Sequence, residues 1–134
     1  FPSDHFVADA AAFRACVARA RDAIAARPER IALIGIRPEW PEPGYGYVER
    51  GDAVAGAPGV FQVRRFSEKP TPADASDLAA RGALWNSSVL VFRAARVLEL
   101  AAAVAPAGDT RAWNFSSELL ARVPEHLLVL EAAD

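Results

Sequence analysis

Hydrophobic and polar positions follow two periods along this chain, that of amphipathic helices and that of buried strands. After Asp9, which can cap a helix, apolar residues recur every three or four positions, and Pro28 stands just beyond the end of that pattern. The run from Ile31 to Ile36 is apolar throughout, broken only by Gly35, and it is too short for an independent helix. It therefore predicts a parallel strand covered on both faces, with helices on both sides of the sheet.

The same alternation continues to the end of the chain. Three prolines predict an extended connection into Gly44-Tyr45-Gly46-Tyr47. Strands are predicted at 48–49, 60–66, 84–92 and 126–130, and helices from Pro72 to Arg81, at 94–105 and at 116–123. Strands and helices in alternation predict an α/β fold.

Composition and charge narrow the classes of function. The 134 residues are 52% hydrophobic and 24% charged, with a net charge of −2, as in one ordinary globular domain. Fourteen scattered arginines face seventeen acids, which argues against a nucleic-acid or anionic-membrane surface. Charged residues interrupt every apolar run before the roughly 20 residues that a membrane-spanning helix needs. The single cysteine, Cys16, fits a reducing compartment, and we expect a cytoplasmic protein.

Lys69 is the only lysine among these cations, and it lies in the run Phe66-Ser67-Glu68-Lys69-Pro70. A lysine is a compact point charge on a flexible stem, whereas the guanidinium group of arginine is a planar fork. A composition that otherwise uses arginine suggests that this position requires an ammonium, and a single phosphate oxygen is its natural target. The alternative is an exposed strand lysine without a ligand.

Asp4, in Pro2-Ser3-Asp4-His5, directly precedes the first predicted helix. It would then follow a strand at the edge where open α/β sheets bind ligands. A carboxylate there can hold Mg²⁺ against substrate phosphates, because Mg²⁺ needs only one or two protein carboxylates. A turn aspartate that accepts from backbone amides is the alternative. We expect His5 to orient a neighbour, and Cys16, on the apolar stripe of its helix, to be a packed core thiol.

Three further residues have the chemistry of a sugar site. Gly44 and Gly46 suit a turn, but bare backbone beside tyrosines also allows a sugar ring to approach closely. The amide of Asn86 carries donors and acceptors that suit vicinal hydroxyls, although a backbone-capping amide is the alternative. The aromatic residues expected to be exposed, at an interface or a substrate rim, are Trp40, Tyr45, Tyr47 and Trp113.

Four motifs follow one another along the chain: Pro2-Ser3-Asp4-His5, Gly44-Tyr45-Gly46-Tyr47-Val48-Glu49, Phe66-Ser67-Glu68-Lys69-Pro70 and Trp85-Asn86-Ser87. In this order and spacing they resemble the sugar-phosphate nucleotidyltransferases, most closely the mannose-1-phosphate guanylyltransferases. The histidine after Asp4 is similar to that of the guanylyl branch rather than the thymidylyl or uridylyl branches. The resemblance runs through the whole chain.

The resemblance implies a fold, a reaction and a set of site residues. The fold would be a Rossmann-like nucleotidyltransferase fold, a mixed sheet flanked by helices, with residues 1–134 as its central and sugar-binding part. The parent enzyme would join GTP and mannose 1-phosphate, giving GDP-mannose and pyrophosphate with Mg²⁺ as cofactor. Asp4 would be the metal ligand and Lys69 the contact to the sugar phosphate, these two being the catalytic residues. The implied sugar contacts are Tyr45, Gly46, Glu68 and Asn86.

The chain also departs from the family pattern. The glycine-rich nucleotide loop that belongs before the Asp4 strand is missing, as is the second metal aspartate, which in the family lies just beyond the point matching Asp134. Ser88 stands where the family commonly has glycine after Trp-Asn-Ser. A chain that has no methionine and opens on Phe1 is expected to be an internal fragment. We therefore expect no turnover by this chain alone, and radiolabelled pyrophosphate exchange above background would contradict that expectation.

Three classes of function stay open at this point. The first is the sugar-binding piece of a guanylyltransferase. The second is a related nucleotidyltransferase that uses glucose 1-phosphate, or a metal-dependent glycosyltransferase on a similar fold. The third is a non-catalytic regulatory or interaction module that retains the fold.

Overall fold

The computed structural model describes residues 6–105 and 113–132. Its helices are α1 (Ala10–Ala26), α2 (Pro72–Ala80), α3 (Ala94–Val104) and α4 (Phe115–Glu118), with 3-10 helices at Leu120–Arg122 and Pro124–His126. Its strands are β1 (Ile31–Ile36), β2 (Tyr47–Ala53), β3 (Val60–Ser67), β4 (Leu84–Phe92) and β5 (Leu127–Glu131). The predicted α/β alternation is confirmed. No helix in these two ranges is both long and apolar enough to cross a membrane.

The strands form one mixed sheet that closes on itself in the order β1-β4-β2-β3-β5. β1 pairs parallel with β5 and antiparallel with β4, so the prediction of a parallel strand is right for one of its two neighbours. The other pairs are antiparallel. The mixed sheet is thus confirmed, and its closure into a ring is a finding of the structure.

The continuous apolar run of β1 is explained by burial on both faces of the sheet. Ile31 and Leu33 pack on one face, here called the inner face, against residues of α3 and the region after α4. Ala32 and Ile34 pack on the opposite, outer face against α1. Because successive strand residues point to opposite faces, a strand covered on both sides must be apolar at every position. Helices on both sides of the sheet are therefore confirmed.

α1 begins where the sequence predicts. The carboxylate of Asp9 accepts hydrogen bonds from the backbone N–H groups of Ala11 and Ala12, each at 2.9 Å, which satisfies two donors that the first turn leaves free. Cys16 lies on the apolar face of the helix and is 1% exposed. The prediction of a packed core thiol is confirmed.

The helix predicted at 116–123 is wrong as a single element. α4 begins after Asn114, whose side chain accepts from the N–H of Ser117, but it ends at Glu118. Leu119 and Leu120 are fully buried in the inner core, and the chain continues as two short 3-10 helices before β5. The burial of these leucines, with Pro124 soon after them, outweighs the helical periodicity of the segment.

A bulge interrupts the pairing of β1 with β4. Ile34 lies opposite Val89 but Gly35 opposite Asn86, so that Ser87 and Ser88 are left without partners in β1. The buried hydroxyl of Ser87 donates to the carbonyl of Ile34 at 2.5 Å and accepts from the N–H of Val89 at 3.2 Å. Ser88 adopts a φ of 58°, a left-handed conformation that favours glycine. Ser87 therefore anchors the bulge and Ser88 supplies its strained turn.

Replacing the two serines should change the free energy of unfolding in opposite directions. We expect Ser88→Gly to stabilise the chain by about 0.5–1 kcal/mol, because it relieves the cost of a left-handed non-glycine residue at some expense in unfolded-state entropy. Ser87→Ala should destabilise it by about 1–3 kcal/mol, because the carbonyl of Ile34 loses its buried donor. Urea unfolding of the two variants tests this, and the same sign of change in both would contradict it.

Candidate functional site

Three of the predicted site residues lie side by side: Gly46 just before β2, Glu68 just after β3 and Asn86 in β4. The N–H of Asn86 donates to the carbonyl of Gly46 at 2.7 Å, and a carboxylate oxygen of Glu68 lies close to Gly46 on its other side. Tyr47 pairs with both Ser67 and Trp85, and each of the three site residues is directly adjacent along the chain to one of these paired residues, on the same side of the pairing. We call Gly46, Glu68 and Asn86 the polar row. By strand alternation it belongs to the inner face, next to Phe66.

Gly46 lies where the polar row is packed most closely. A Cβ atom at this position would lie 2.8 Å from Oε2 of Glu68, 3.1 Å from Cζ of Phe66 and 3.4 Å from Cβ of Asn86. A side chain would therefore fill the space between the carboxylate and the amide. The glycine is required by this close approach, and its bare backbone is what a sugar ring could contact.

The side chain of Asn86 combines two roles. Its Oδ1 accepts a hydrogen bond from the N–H of Ser88 at 3.1 Å, which supports the bulge. Among the described residues its Nδ2 has no partner, so the two N–H donors of this group remain available for a ligand. The capping and the binding interpretation, which the sequence left open, are compatible in this geometry.

Glu68 and Lys69 form the turn that follows the end of β3. Burial raises the pKa of the Glu68 carboxyl, and the neighbouring ammonium of Lys69 opposes that rise. Lys69 itself is exposed, and within the described residues it forms no ion pair. Its φ of 45° is strained for a lysine, and more so before a proline, which disfavours helical conformations in the preceding residue. The turn thus holds a free ammonium beside a half-buried carboxylate.

The raised pKa of Glu68 predicts a pH-dependent stability. The folded state binds the proton more tightly than the unfolded state, so stability falls as the pH rises from the ordinary pKa of glutamate to the raised folded value. Glu68→Gln has no carboxyl group to ionise, so its stability does not fall over this pH range. The free energy of unfolding of the variant should therefore rise relative to wild type between the two pKa values and stay higher at more alkaline pH. Urea unfolding as a function of pH measures the difference.

The exposed Glu39→Gln serves as the control for removing a surface carboxylate. A difference between Glu68→Gln and wild type that shrinks as the pH rises would contradict the assignment.

A groove of about 380 Å³ lies beside this turn, between β3 and α2. Glu68 and Pro70, on either side of Lys69, line it together with Ser67 and residues of α2. Glu68 is therefore a member of the polar row and also lines the groove. Lys69 is not among the residues that line this groove, so the convergence of its ammonium and Asp4 on one hollow stays a prediction.

The aromatic residues divide between the surface and the core. Tyr47 is fully buried under α2 with Ala75 and Leu78, so the prediction that it is exposed is wrong. The physical reason is its place on the outer face of β2, which α2 covers. Trp40 and Tyr45 are 52% and 48% exposed, as predicted.

The ring of Tyr45 does not face the polar row. It packs edge-on against Trp85, with ring centroids 5.1 Å apart, and Trp40 contacts the same indole at 5.3 Å. Trp85 and Asn86 point to opposite faces because they are consecutive in β4. The backbone of Tyr45 thus borders the site, while its ring belongs to an aromatic cluster on the other face.

Asp4, the predicted metal ligand, and His5 lie outside the described residues. Within residues 6–105 and 113–132, no group of three or more His, Cys, Asp or Glu side chains converges in a way that could hold a metal ion. The prediction that Asp4 binds Mg²⁺ therefore rests on the sequence motif.

Sequence reasoning did not identify Ser87 as part of the site's support. A hydroxyl between the apolar ends of β4 was the available signal, because a buried serine needs a hydrogen-bond partner. Its role depends on the bulge, and no local pattern in the sequence predicts that bulge. The same holds for Arg50, Arg64 and Arg81, which line a recess described below.

Comparison with known proteins agrees with the motifs. The model of the family described as "Nucleotidyl transferase" matches residues 1–111, and this chain belongs to that family. The xanthan biosynthesis protein XanB of Xanthomonas campestris pv. campestris is 46% identical over 99 residues, 73% of this chain and 20% of the relative. The mannose-1-phosphate guanylyltransferase of Escherichia coli is 42% identical over 100 residues, 72% of this chain and 20% of the relative. This chain spans about a fifth of the length of these curated relatives.

Solved structures share the fold. A protein from Thermus thermophilus, described as a mannose-1-phosphate geranyltransferase, superimposes with a TM-score of 0.84 at 25% identity over 98% of this chain and 43% of its own. A mannose-6-phosphate isomerase from Helicobacter pylori superimposes with a TM-score of 0.82 at 21% identity, which shows the fold alone. The fold predicted from the four motifs is thereby confirmed.

Proposed function

We propose that this chain is the sugar-phosphate-binding part of an enzyme that transfers a guanylyl group from GTP to mannose 1-phosphate. The products are GDP-mannose and pyrophosphate. The family is established, and relatives at 42% identity bear the name mannose-1-phosphate guanylyltransferase, which supports this choice of substrates. The single buried cysteine supports a reducing, cytoplasmic setting.

The observation that carries the proposal is the polar row beside Lys69. A sugar ring seated over Gly46 would meet a carboxylate acceptor on one side and the amide donors of Asn86 on the other. Hydroxyl groups of a sugar both donate and accept, so this pair of side chains suits them. The ammonium of Lys69, without an ion pair in the described part of the chain, is then free for the phosphate at C1.

The reaction is an in-line displacement at phosphorus. A phosphate oxygen of the sugar 1-phosphate attacks the α-phosphorus of GTP, a new P–O bond forms, the α–β bridging bond breaks, and pyrophosphate leaves with the electron pair. Both reactants are anions, so the protein must align them and neutralise their charge. In this scheme the polar row fixes the sugar and Lys69 balances charge on the attacking phosphate.

Mg²⁺ would supply further charge neutralisation on the phosphates when bound. We assign it to Asp4 by the family motif, and no described residue is proposed to replace that ligand.

The proposal is tested by isothermal titration calorimetry of this chain with mannose 1-phosphate, glucose 1-phosphate and GTP. We expect mannose 1-phosphate to bind more tightly than glucose 1-phosphate. Lys69→Gln should weaken mannose 1-phosphate binding by about tenfold, because a charge-assisted contact to the phosphate is lost. Arg14→Gln, on the exposed side of α1, is the control for removing a surface cation and should leave the affinity unchanged.

Tighter binding of glucose 1-phosphate would assign the site to another nucleotidyltransferase. Equal affinities of wild type and Lys69→Gln would refute the role of Lys69. If the chain binds none of the three ligands, the proposal fails in favour of a non-catalytic module.

A further inference from the structure

A second cluster of charge lies away from the polar row. A recess of about 260 Å³ is lined by Glu49, Arg50, Arg64, Arg81, Gly82 and Ala83. We call it the arginine recess. Gly46 of the polar row comes just before Tyr47, the first residue of β2, whereas Arg50 lies three residues after Tyr47. Asn86 of the polar row lies inside β4, whereas Gly82 comes before the start of that strand. The two places are therefore at different ends of the β2–β4 pair.

The arginine recess is positive within an acidic chain. Three arginines against one glutamate give its lining a formal charge of +2, while the whole chain carries −2. Guanidinium groups repel one another when they share a small volume, so their convergence needs carboxylates that hold them or an anion that they bind.

Two of the three guanidinium groups are held in place by other parts of the fold. Nη2 of Arg81 lies 3.3 Å from Oε1 of Glu49. Nη1 of Arg50 lies 3.0 Å from Oε2 of Glu131, and its guanidinium lies over the ring of Phe61, 5.3 Å from the centroid. Groups that are fixed before a ligand arrives lose less entropy on binding it. Each pair uses one edge of its guanidinium, which leaves further N–H donors.

The third guanidinium belongs to a bulge residue. Glu49 pairs with Arg65 but Arg50 pairs with Val63, so Arg64 is left without a partner in β2. A bulge changes the direction of a side chain, and Arg64 here lines the recess, whereas its neighbour Arg65 lines the groove beside α2. Among the described residues Arg64 forms no ion pair, so its charge is not neutralised.

Gly82 keeps one wall of the recess open. Its φ is 77°, and a Cβ atom there would have only Nη2 of Arg50 within 4 Å, at 3.9 Å. The free edge of Arg50 thus faces a wall without a side chain. The volume is below the roughly 300–1,000 Å³ typical of pockets for whole small molecules, and it suits a single tetrahedral oxyanion.

We propose that the arginine recess binds a phosphate dianion, either inorganic phosphate or the terminal phosphate of a monoester. Guanidinium groups match the oxygens of phosphate in pairs, and three of them converge on this volume. Arg81 also lines the groove beside α2, but neither Lys69 nor a residue of the polar row lines the arginine recess, and this inference does not depend on the proposed function.

The test is a two-dimensional ¹H–¹⁵N NMR titration of the chain with inorganic phosphate, with sodium chloride adjusted to keep the ionic strength constant. We expect saturable shifts of the amide signals of Arg50, Arg81 and Gly82. A parallel titration with methyl phosphate distinguishes the sources: equal affinity assigns the site to a phosphate group of a larger molecule, and much weaker affinity assigns it to free phosphate.

Two variants make the test specific. Arg64→Gln should weaken phosphate binding by about fivefold or more, since one of three cationic partners is lost. Arg65→Gln removes the same charge from the next residue and should leave the affinity unchanged. The proposal is overturned if the shifts do not saturate, or if Arg65→Gln weakens binding as much as Arg64→Gln does.

Discussion

Gly46→Ala should weaken the binding of mannose 1-phosphate by about 100-fold, which corresponds to about 2.7 kcal/mol and lies within the range for loss of a hydrogen bond to a charged group. The new methyl group would stand 2.8 Å from Oε2 of Glu68 and 3.1 Å from Cζ of Phe66. Phe66 is held in the core, so the carboxylate of Glu68 must move away from the position in which it would accept a hydrogen bond from the sugar. Calorimetry of the variant with mannose 1-phosphate measures the loss.

Gly44→Ala is the matched control, two residues away in the same motif. A Cβ atom there would lie 3.0 Å from Oε1 of Glu42 and would meet nothing else nearby except the same carboxyl group. The end of that flexible side chain can turn aside, so we expect an affinity close to that of wild type. Equal losses in both variants would show a general disturbance of the loop and contradict a specific site at Gly46.

Gly35→Ala should give the largest loss of stability, about 3 kcal/mol, at the upper end of the range for overpacked cores. A Cβ atom at Gly35 would lie 2.7 Å from both Cβ and Cδ1 of Leu84, which is 1% exposed. The Cβ of Leu84 is fixed to β4 and cannot turn away, so the strands must separate. Urea unfolding gives the change, which is a large part of the roughly 5–15 kcal/mol that stabilises a typical domain.

Gly51→Ala tests whether any glycine in a strand would behave in this way. Its nearest contact would be the carbonyl oxygen of Gln62 at 3.4 Å, close to ordinary van der Waals distance. We expect a change of less than about 1 kcal/mol for a strand residue that needs no rearrangement. A loss in Gly35→Ala no larger than that in Gly51→Ala would mean that the β1–β4 contact is looser than the structure indicates.

The local features of the fold could be predicted from the sequence because they depend on neighbouring residues. Asp9 and Pro72 start α1 and α2 as their chemistry requires, and the apolar run of β1 reports burial on two faces. The segment at 116–123 could not be predicted in this way, because the burial of Leu119 and Leu120 against distant strands decides its conformation.

Features that depend on pairing between distant strands could not be predicted from the sequence. Closure of the sheet requires β5 to pair with both β1 and β3, and the residues of β5 do not indicate which strands it pairs with. The same holds for the bulges that set Ser88 in a left-handed conformation and direct Arg64 into its recess. Tyr47 looked exposed because α2, which covers it, comes 25 residues later in the chain.

For the candidate site, the types of the binding residues could be predicted from the sequence, whereas the structure was needed to show which of them lie next to one another. Gly46, Glu68 and Asn86 are adjacent because three strands place them one position beyond the same paired row. Their order along the chain could not show that the ring of Tyr45 belongs to the other face, with Trp85. The binding roles of these residues, and that of Asp4, stay predictions.

The most direct test of the sugar-phosphate site is an NMR map of the amide signals that respond to mannose 1-phosphate. We predict saturable shifts that are largest at Gly46, Glu68, Lys69 and Asn86, and their loss in Gly46→Ala. Shifts confined to other parts of the chain, or an unchanged response in Gly46→Ala, would contradict the site described here.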